Sequence, residues 1–596
     1  MAWPDAAAYH TGLKVVSSAA HLFGKQQAGS DALAVLGNAA PLRDLRFQLD
    51  YQMVMGITYF NIHGLSYSFD GPRKDEVPPS LFYQHTEWKY MSTLMQHVKE
   101  IGAELTGGTH RCRIGVLYPA ASIYCRIDAN GCHSKLEPVI HQFSETMLSH
   151  QKDFDFIDEI TLQECVDAAG TVNLPEPWEV IILPHLEYIE RATADALEKL
   201  AASGIKVMII GSRPALLGRI DDRPLADWCP DFSVAVDAID DIVLKQLPGA
   251  ELTGAGCNDV FVLQRCKNDR VVSFLVNRAE HEFNGWLDGH SVTIAPKGSL
   301  LLSGMTRKEE KVMSFVPLLR LDTDWKITFE PNQFQLASWQ ASRLGDLPDD
   351  RINLPQHEYN LLLRHSDPMG DGVDLVCYQT RFLWTGNNIP LTLVLEESTL
   401  GCDCDVYFNG VKVDKFTRER VYDCLNMTAE IGGALRTGTT PTLNVLKIMA
   451  RNEGRGLLEM PYLYGDFHTE YRYGDKSLPI LTAMPSALAL PLLQDWGTLG
   501  YGGFSGTASY ERIFELDAAG EFCLDLGRVE DVAAVFVDGN AGTVLAWQPY
   551  CCRLGRLAAG CHRLRVDLTN SPANRDRLAG LTAGLLGPVT LLRQEL

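Results

Sequence analysis

Two hairpin signatures in the C-terminal half constrain this chain more than any other feature. VYFNGVKVD (406–414) and VFVDGNAGTV (535–544) each read as strand, tight turn, strand. The turns hold Asn409-Gly410 and Asp538-Gly539, residue pairs that tolerate the left-handed backbone of a short hairpin. The surroundings repeat as well. An apolar strand precedes each hairpin, LTLVLEE (391–397) and FCLDLG (522–527). A Tyr-bearing strand comes before that, VCYQTRF (376–382) and ASYERIFEL (508–516), and another trails, LNVLKIMARN (443–452) and HRLRVDLTN (562–570). Self-similarity on this scale predicts two copies of one antiparallel sandwich.

The N-terminal part follows a different rule. PLRDLRFQLDYQMVM (41–55) puts Leu42, Leu45, Leu49 and Met53 at helical spacing, with Pro41 suited to the first turn and Gly56 as the stop. Residues 57–62 are apolar on both faces, as a buried parallel strand would be. Trp88 to Leu105 reads as a second amphipathic helix, closed by Gly107-Gly108. RIGVLYP (113–119), EVIILPH (179–185) and KVMIIG (206–211) are short apolar runs with helical patterns between them, and FDFIDE (154–159) adds an edge-like strand. That alternation predicts a doubly wound α/β domain. It has no G-x-G-x-x-G or P-loop signature, so no nucleotide is assigned. Past residue 250 the chain turns β-rich, with DRVVSFLVNRA (269–279) as a strand-pair candidate and SVTIAPKGSLLLS (291–303) continuing it.

Length and charge narrow the function. At 596 residues the expectation is about three to five domains. The net charge of −22, from 75 acidic against 53 basic residues, disfavours nucleic acid and anionic membrane as partners. No apolar run reaches membrane-spanning length, and the start shows no secretory signal pattern. The fifteen cysteines are scattered without metal-ligand spacing. This suggests reduced thiols in a cytoplasmic protein, with no cofactor. Glu396-Glu397 and Asp403/Asp405 supply oxygen atoms that could hold a structural Ca²⁺ beside the first hairpin. Trp496, Tyr501, Trp547 and Tyr550 read first as packing residues and second as sugar contacts.

The stretch GITYFNIHGLSYSFDGPRKDEVPPSLFYQHTEW (56–88) carries the chemistry. A short strand ends on His63, and a long loop follows with aromatics, charges and Pro78-Pro79. In a barrel of alternating strands and helices, such loops build the active site. His63 could hydrogen-bond a sugar hydroxyl, and Tyr59, Tyr67 and Trp88 offer flat faces to a pyranose ring. The run Arg73-Lys74-Asp75-Glu76, stiffened by flanking prolines, offers charged contacts. No metal site, G-x-S-x-G or H-E-x-x-H competes with this reading.

The second repeat copy, with DLGRVEDVAAVFVDG, Trp547-Gln548-Pro549-Tyr550 and VDLTNSPANR, resembles the galactose-binding-like jelly rolls of large glycoside hydrolases. The α/β part resembles the flavodoxin-like domain of family 42 β-galactosidases. The 56–80 stretch resembles the last barrel strand and loop of enzymes related to family 2 and to the family 106 α-L-rhamnosidases. The resemblance implies a C-terminal part of a (β/α)₈ barrel at 1–110 and a flavodoxin-like domain at 111–245. A small β domain at 246–320 and jelly rolls at 321–470 and 471–596 complete the plan. It also implies hydrolysis of O-glycosidic bonds of a carbohydrate substrate by two carboxyl groups, in a chain that could form homo-oligomers. Two departures stand out. The relatives carry a barrel of roughly 250 residues. They also carry a catalytic glutamate where AGSDALAVLG places Asp31, and an asparagine where Thr58 stands. Asp31 is the candidate catalytic carboxylate, and the second is not identified. The alternative is a non-catalytic carbohydrate-binding or assembly protein, or an inactive fragment of a longer glycosidase.

Overall fold

The computed structural model describes residues 9–595 except 38–39, 66–80, 125–135, 168–169, 212, 218–223, 228–229, 232, 305–314, 337, 344–351, 355–374, 397–398, 401–402, 422–425, 452–456, 458–459, 472–477, 541 and 575–579. The chain divides into two compact units: residues 1–32, 46–61 and 96–310, and residues 33–45, 62–95 and 311–596.

The first stretch alternates helix and strand: α1 (Tyr9–Leu22), β1 (Gly29–Ala32), α2 (Leu42–Val54), β2 (Tyr59–Ile62) and α3 (Met91–Leu105). Leu42, Leu45, Leu49 and Met53 of α2 are all fully buried, as their spacing requires. Gly56 ends the helix with φ +95°, and a Cβ there would sit 2.8 Å from Cβ of Ser17, so glycine is needed twice over. Among the described residues, β1 and β2 pair only with each other.

A five-stranded parallel sheet follows, built from β4 (Ile114–Leu117), β5 (Asp155–Ile157), β6 (Val180–Pro184), β7 (Lys206–Ile210) and β8 (Ser233–Val236). In space they run β5-β4-β6-β7-β8, so the first two strands exchange places and β5 forms an edge. Ile181, Leu183, Val207 and Ile209 pack there against Leu197 and Leu200 of the helix Arg191–Ala202.

DRVVSFLVNRA turns out to be one half of a hairpin. β10 (Arg270–Asn277) pairs with β9 (Val260–Lys267) across Asn268 and Asp269, both left-handed at φ +50° and +59°. The short β3 (Thr109–His110) joins the free side of β9, and Ser299–Ser303 joins β10.

In the second unit the repeat is visible as one sheet order used twice. Leu375–Gly386 pairs with Gly438–Arg451, then Cys404–Phe408, then Val411–Val413. Thr507–Leu516 pairs with Gly560–Thr569, then Val532–Val537, then Thr543–Leu545. The facing sheets also correspond. Leu391–Leu395 lies between Met427–Glu430 and Tyr462–Gly465, and Gly520–Asp525 lies between Cys551–Leu557 and Thr590–Gln594. Each copy closes over its own core, one around Trp339, Tyr378 and Trp384, the other around Trp325, Trp496 and Tyr510.

The two hairpins differ in length. Phe408 opposes Val411 across Asn409 and Gly410, a two-residue turn with φ +51° and +84°. In the second copy the last pair between these two strands is Val535 with Thr543, so the connection is longer than two residues. The left-handed Asp538-Gly539 bend survives within that longer connection. Trp496, Tyr501 and Tyr550 are buried, which removes them as sugar contacts and leaves the packing role.

The Tyr510 hydroxyl accepts hydrogen bonds from Trp496 Nε1 at 2.6 Å and from the Leu585 amide at 3.2 Å, both buried. Tyr510→Phe strands both donors, at about 1–3 kcal/mol each. Urea denaturation should show a lower midpoint with an unchanged slope.

Candidate functional site

Asp31 sits on β1 with its side chain in solvent. Asn61 of β2, also exposed, donates from Nδ2 to Asp31 Oδ1 at 2.8 Å. The entry to β2 is fixed by Ala28, whose carbonyl accepts from the Thr58 and Tyr59 amides at 3.0 and 3.1 Å. Tyr59 is 59% exposed. Its ring lies against Gly29, where a Cβ would stand 3.2 Å from Cδ1. The strand pair therefore presents a carboxylate, an amide and a phenol to water. This corrects the expectation of a strand buried on both faces. Ile57 is fully buried, yet Tyr59 and Asn61 are not: exposure alternates along β2, so one of its faces meets solvent. Sequence reasoning missed Asn61, whose role as a donor to Asp31 depends on strand pairing.

The other expected contacts belong to the second unit or are not described. His63 is exposed. Trp88 opens a short 3-10 turn and is half-buried, edge-on to Phe82 with ring centroids 5.0 Å apart. Tyr67, Arg73, Lys74 and Asp75 lie outside the described residues.

A second polar constellation lies inside the first unit. Lys14 Nζ of α1 meets Asp153 Oδ1 at 2.8 Å. His110 of β3 contacts Asp153 Oδ2 through Nε2 at 2.7 Å and Asp155 Oδ2 through Nδ1 at 3.1 Å. His21 Nδ1 meets Asp155 Oδ1 at 2.9 Å, and Arg265 Nη1 meets His21 Nε2 at 3.2 Å.

Donor chemistry fixes the protons. A carboxylate only accepts and a guanidinium only donates. His110, facing a carboxylate at each nitrogen, is a doubly protonated imidazolium. His21 accepts from Arg265 at Nε2, so its proton lies on Nδ1 and the ring is neutral. Burial opposes the charge on His110, but Asp155 and Asp153 prevail and hold its pKa up at about 9. Burial likewise opposes charge on Asp155, but His110 and His21 hold it well below the usual carboxylate range.

Gly108 makes this arrangement possible. At φ +68° a Cβ there would fall 2.3 Å from the Cys266 carbonyl oxygen, so only glycine lets β3 close on β9.

Among the described residues, His21, His110 and Asp155 are the one set of three side chains close enough to share a metal ion; Glu396, Asp403 and Asp405 form no such set. The trio does not suit a cation. Both His110 nitrogens already meet carboxylates, and Lys14 and Arg265 flank the cluster with positive charge.

In the second unit, Glu87 is fully buried, and its Oε2 accepts from the Leu42 amide in the first turn of α2 at 2.7 Å. Arg43 bridges Glu530 and Asp531. Burial pushes Glu87 up, and Asp531 to about 6. Both carboxyl groups are thus shifted upward, but Glu87 is buried and caps a helix, and Asp531 is held by Arg43.

Neither a known family model nor a curated protein matches the chain in sequence. Solved structures do match. A rhamnosidase from Novosphingobium sp. PP1Y superposes with a TM-score of 0.55 at 14% identity, over 98% of this chain and 49% of that one. A β-galactosidase from Bacillus circulans sp. alkalophilus gives 0.35 at 12% identity, over 50% of this chain and 58% of that one. A glycosyl hydrolase family 2 member from Bacteroides cellulosilyticus DSM 14838 gives 0.17 at 14% identity, over 39% and 31%. The last two scores are too low to bear weight. The fold is therefore glycoside hydrolase-like, and the chain spans about half the length of the rhamnosidase it matches.

His110 has a raised folded pKa, so its stabilisation is fully present below its unfolded value near 6.5 and is lost as pH rises through about 9. The loss is on the order of 3 kcal/mol. Thermal unfolding followed from pH 6.5 to 9.5 should show this decline, and His110→Gln should flatten it while lowering stability at pH 6.5.

Proposed function

We propose that this chain is a glycoside hydrolase-like protein acting on O-glycosidic bonds of oligosaccharides, with Asp31 as one of two carboxyl groups. The fold likeness to a rhamnosidase across nearly the whole chain carries this reading. It is supported by a solvent-facing Asp31 held by Asn61 next to an exposed aromatic ring. In this proposal α1 to α3 form a barrel segment. The parallel sheet, with its first two strands exchanged, is a flavodoxin-like domain. A small β domain and two galactose-binding-like jelly rolls complete the chain. Tyr59 stacks on a sugar ring, and the loop from His63 to Trp88, with Tyr67, Arg73, Lys74 and Asp75, supplies further sugar contacts.

Glycoside hydrolysis sets the geometry. One carboxyl protonates the leaving oxygen, and the other attacks the anomeric carbon or activates water. Aspartate is one methylene shorter than glutamate, which widens the gap by about 1 Å and favours the water-mediated, inverting route. The second reading is a non-catalytic carbohydrate-binding protein. It is favoured by Asp31 having an amide, rather than an acid, as its hydrogen-bonded neighbour.

A panel of aryl glycosides, rhamnosides and galactosides included, tests both. Hydrolysis that falls at least about 10²-fold in Asp31→Asn supports the first reading. Hydrolysis unchanged by that substitution removes Asp31 from the mechanism. Saturable sugar binding by calorimetry without turnover supports the second, and neither binding nor turnover overturns both. No described helix is long and apolar enough to cross a membrane.

A further inference from the structure

Two thiols face each other across paired strands of the second sandwich. Cys523 lies in the strand Gly520–Asp525 and Cys551 in its antiparallel neighbour Cys551–Leu557. Asp525 stands opposite Cys551, and Cys523 opposite Arg553, so the two cysteines are diagonal neighbours. Their sulfur atoms are 3.1 Å apart. That is about 1 Å beyond the roughly 2.05 Å of a covalent S–S bond.

Strand alternation sorts the sulfurs. Phe522, Leu524 and Cys552 point into the core of this copy. Cys523 and Cys551 therefore occupy the opposite face, where a cross-link displaces no core side chain. Cys551 is half-buried and reachable, whereas Cys523 is 7% exposed. Cys552, adjacent in sequence, faces the wrong way to compete.

We propose that Cys523 and Cys551 form a redox modification site that an oxidant of the peroxide class closes into a cross-strand disulfide. The Cys551 sulfur, as thiolate, attacks one peroxide oxygen. The O–O bond breaks, one water leaves with the thiol proton, and Cys551 becomes a sulfenic acid. The Cys523 sulfur then attacks the Cys551 sulfur. The S–O bond breaks, and the hydroxyl leaves as a second water with the Cys523 proton. Two thiols lose two protons and two electrons, and one hydrogen peroxide becomes two waters.

Burial holds Cys551 up at about 12 and raises Cys523 as well. Thiolate is scarce at neutral pH, so closure is slow and quickens in alkali. The site is a lock set by sustained oxidation rather than a fast sensor. Closed, it ties together the strands that flank Val532–Val537 and Thr543–Leu545, and removes freedom from the unfolded chain.

The test uses the full chain treated with hydrogen peroxide and digested without reduction. The expected result is a peptide linking Cys523 to Cys551, formed faster at pH 9 than at pH 7. Cys523→Ser and Cys551→Ser abolish it, and Cys561→Ser, at an exposed cysteine, leaves it intact. The oxidised chain should unfold roughly 5 °C higher than the reduced one, a gain absent from Cys523→Ser. A link from Cys551 to another cysteine, or over-oxidised Cys551 beside a free Cys523 thiol, overturns the proposal.

Discussion

The first unit depends on a buried run of charged and polar side chains, Lys14, Asp153, His110, Asp155, His21 and Arg265, each in contact with the next. Taking charge out of water is costly, and a buried pair is weak evidence of stability in itself. What the run supplies is registration. His110 and Arg265 come from β3 and β9, which share a sheet, and the run ties that sheet to α1 and to residues 153–155 at the entry of β5, which lie outside it. Because β5 is the edge strand of the parallel sheet, its outer side is open to α1, and the carboxylates there become interior groups instead of solvated ones. Each carboxylate of the run lies between two hydrogen-bond donors, Asp153 between Lys14 and His110 and Asp155 between His110 and His21, and this is what lets six polar side chains share a small dry volume.

The second unit solves its packing problem differently. Both sandwiches use the same strand order and place tryptophan and tyrosine at the centre. Where an indole or phenol is buried, its polar atom finds a local acceptor, as Trp325 Nε1 does at the Leu321 carbonyl and Trp339 Nε1 at the Leu336 carbonyl. The second copy tolerates a longer hairpin connection because its framework pairs, Thr507–Leu516 with Gly560–Thr569, are set elsewhere.

Periodicity made much of this legible. Leu42, Leu45, Leu49 and Met53 announced a buried helix face, Asn409-Gly410 announced a hairpin, and the runs around 114, 180 and 206 announced interior strands. What stayed hidden was whatever depends on distant partners. His21 and Arg265 are 244 positions apart, and no local pattern joins them. The same holds for Asn61 and Asp31, whose contact follows from the pairing of β1 with β2. The open face of β2 is not legible either, because an apolar run gives the character of a strand but not which of its faces another layer covers. Of the sugar-contact candidates, Tyr59 and His63 are exposed and Trp88 is half-buried against Phe82, a difference that composition alone does not show.

Gly108 shows how far such a dependence reaches. Its missing side chain is the clearance through which β3 slides beside β9, and that docking delivers the imidazolium to two carboxylates. A methyl group there would touch no charged atom. It would nonetheless act as an electrostatic lesion, leaving two interior anions with one cation fewer. Sites of this kind are invisible to any inventory of ionisable residues, since steric permission at an uncharged position governs the balance of charge several residues away.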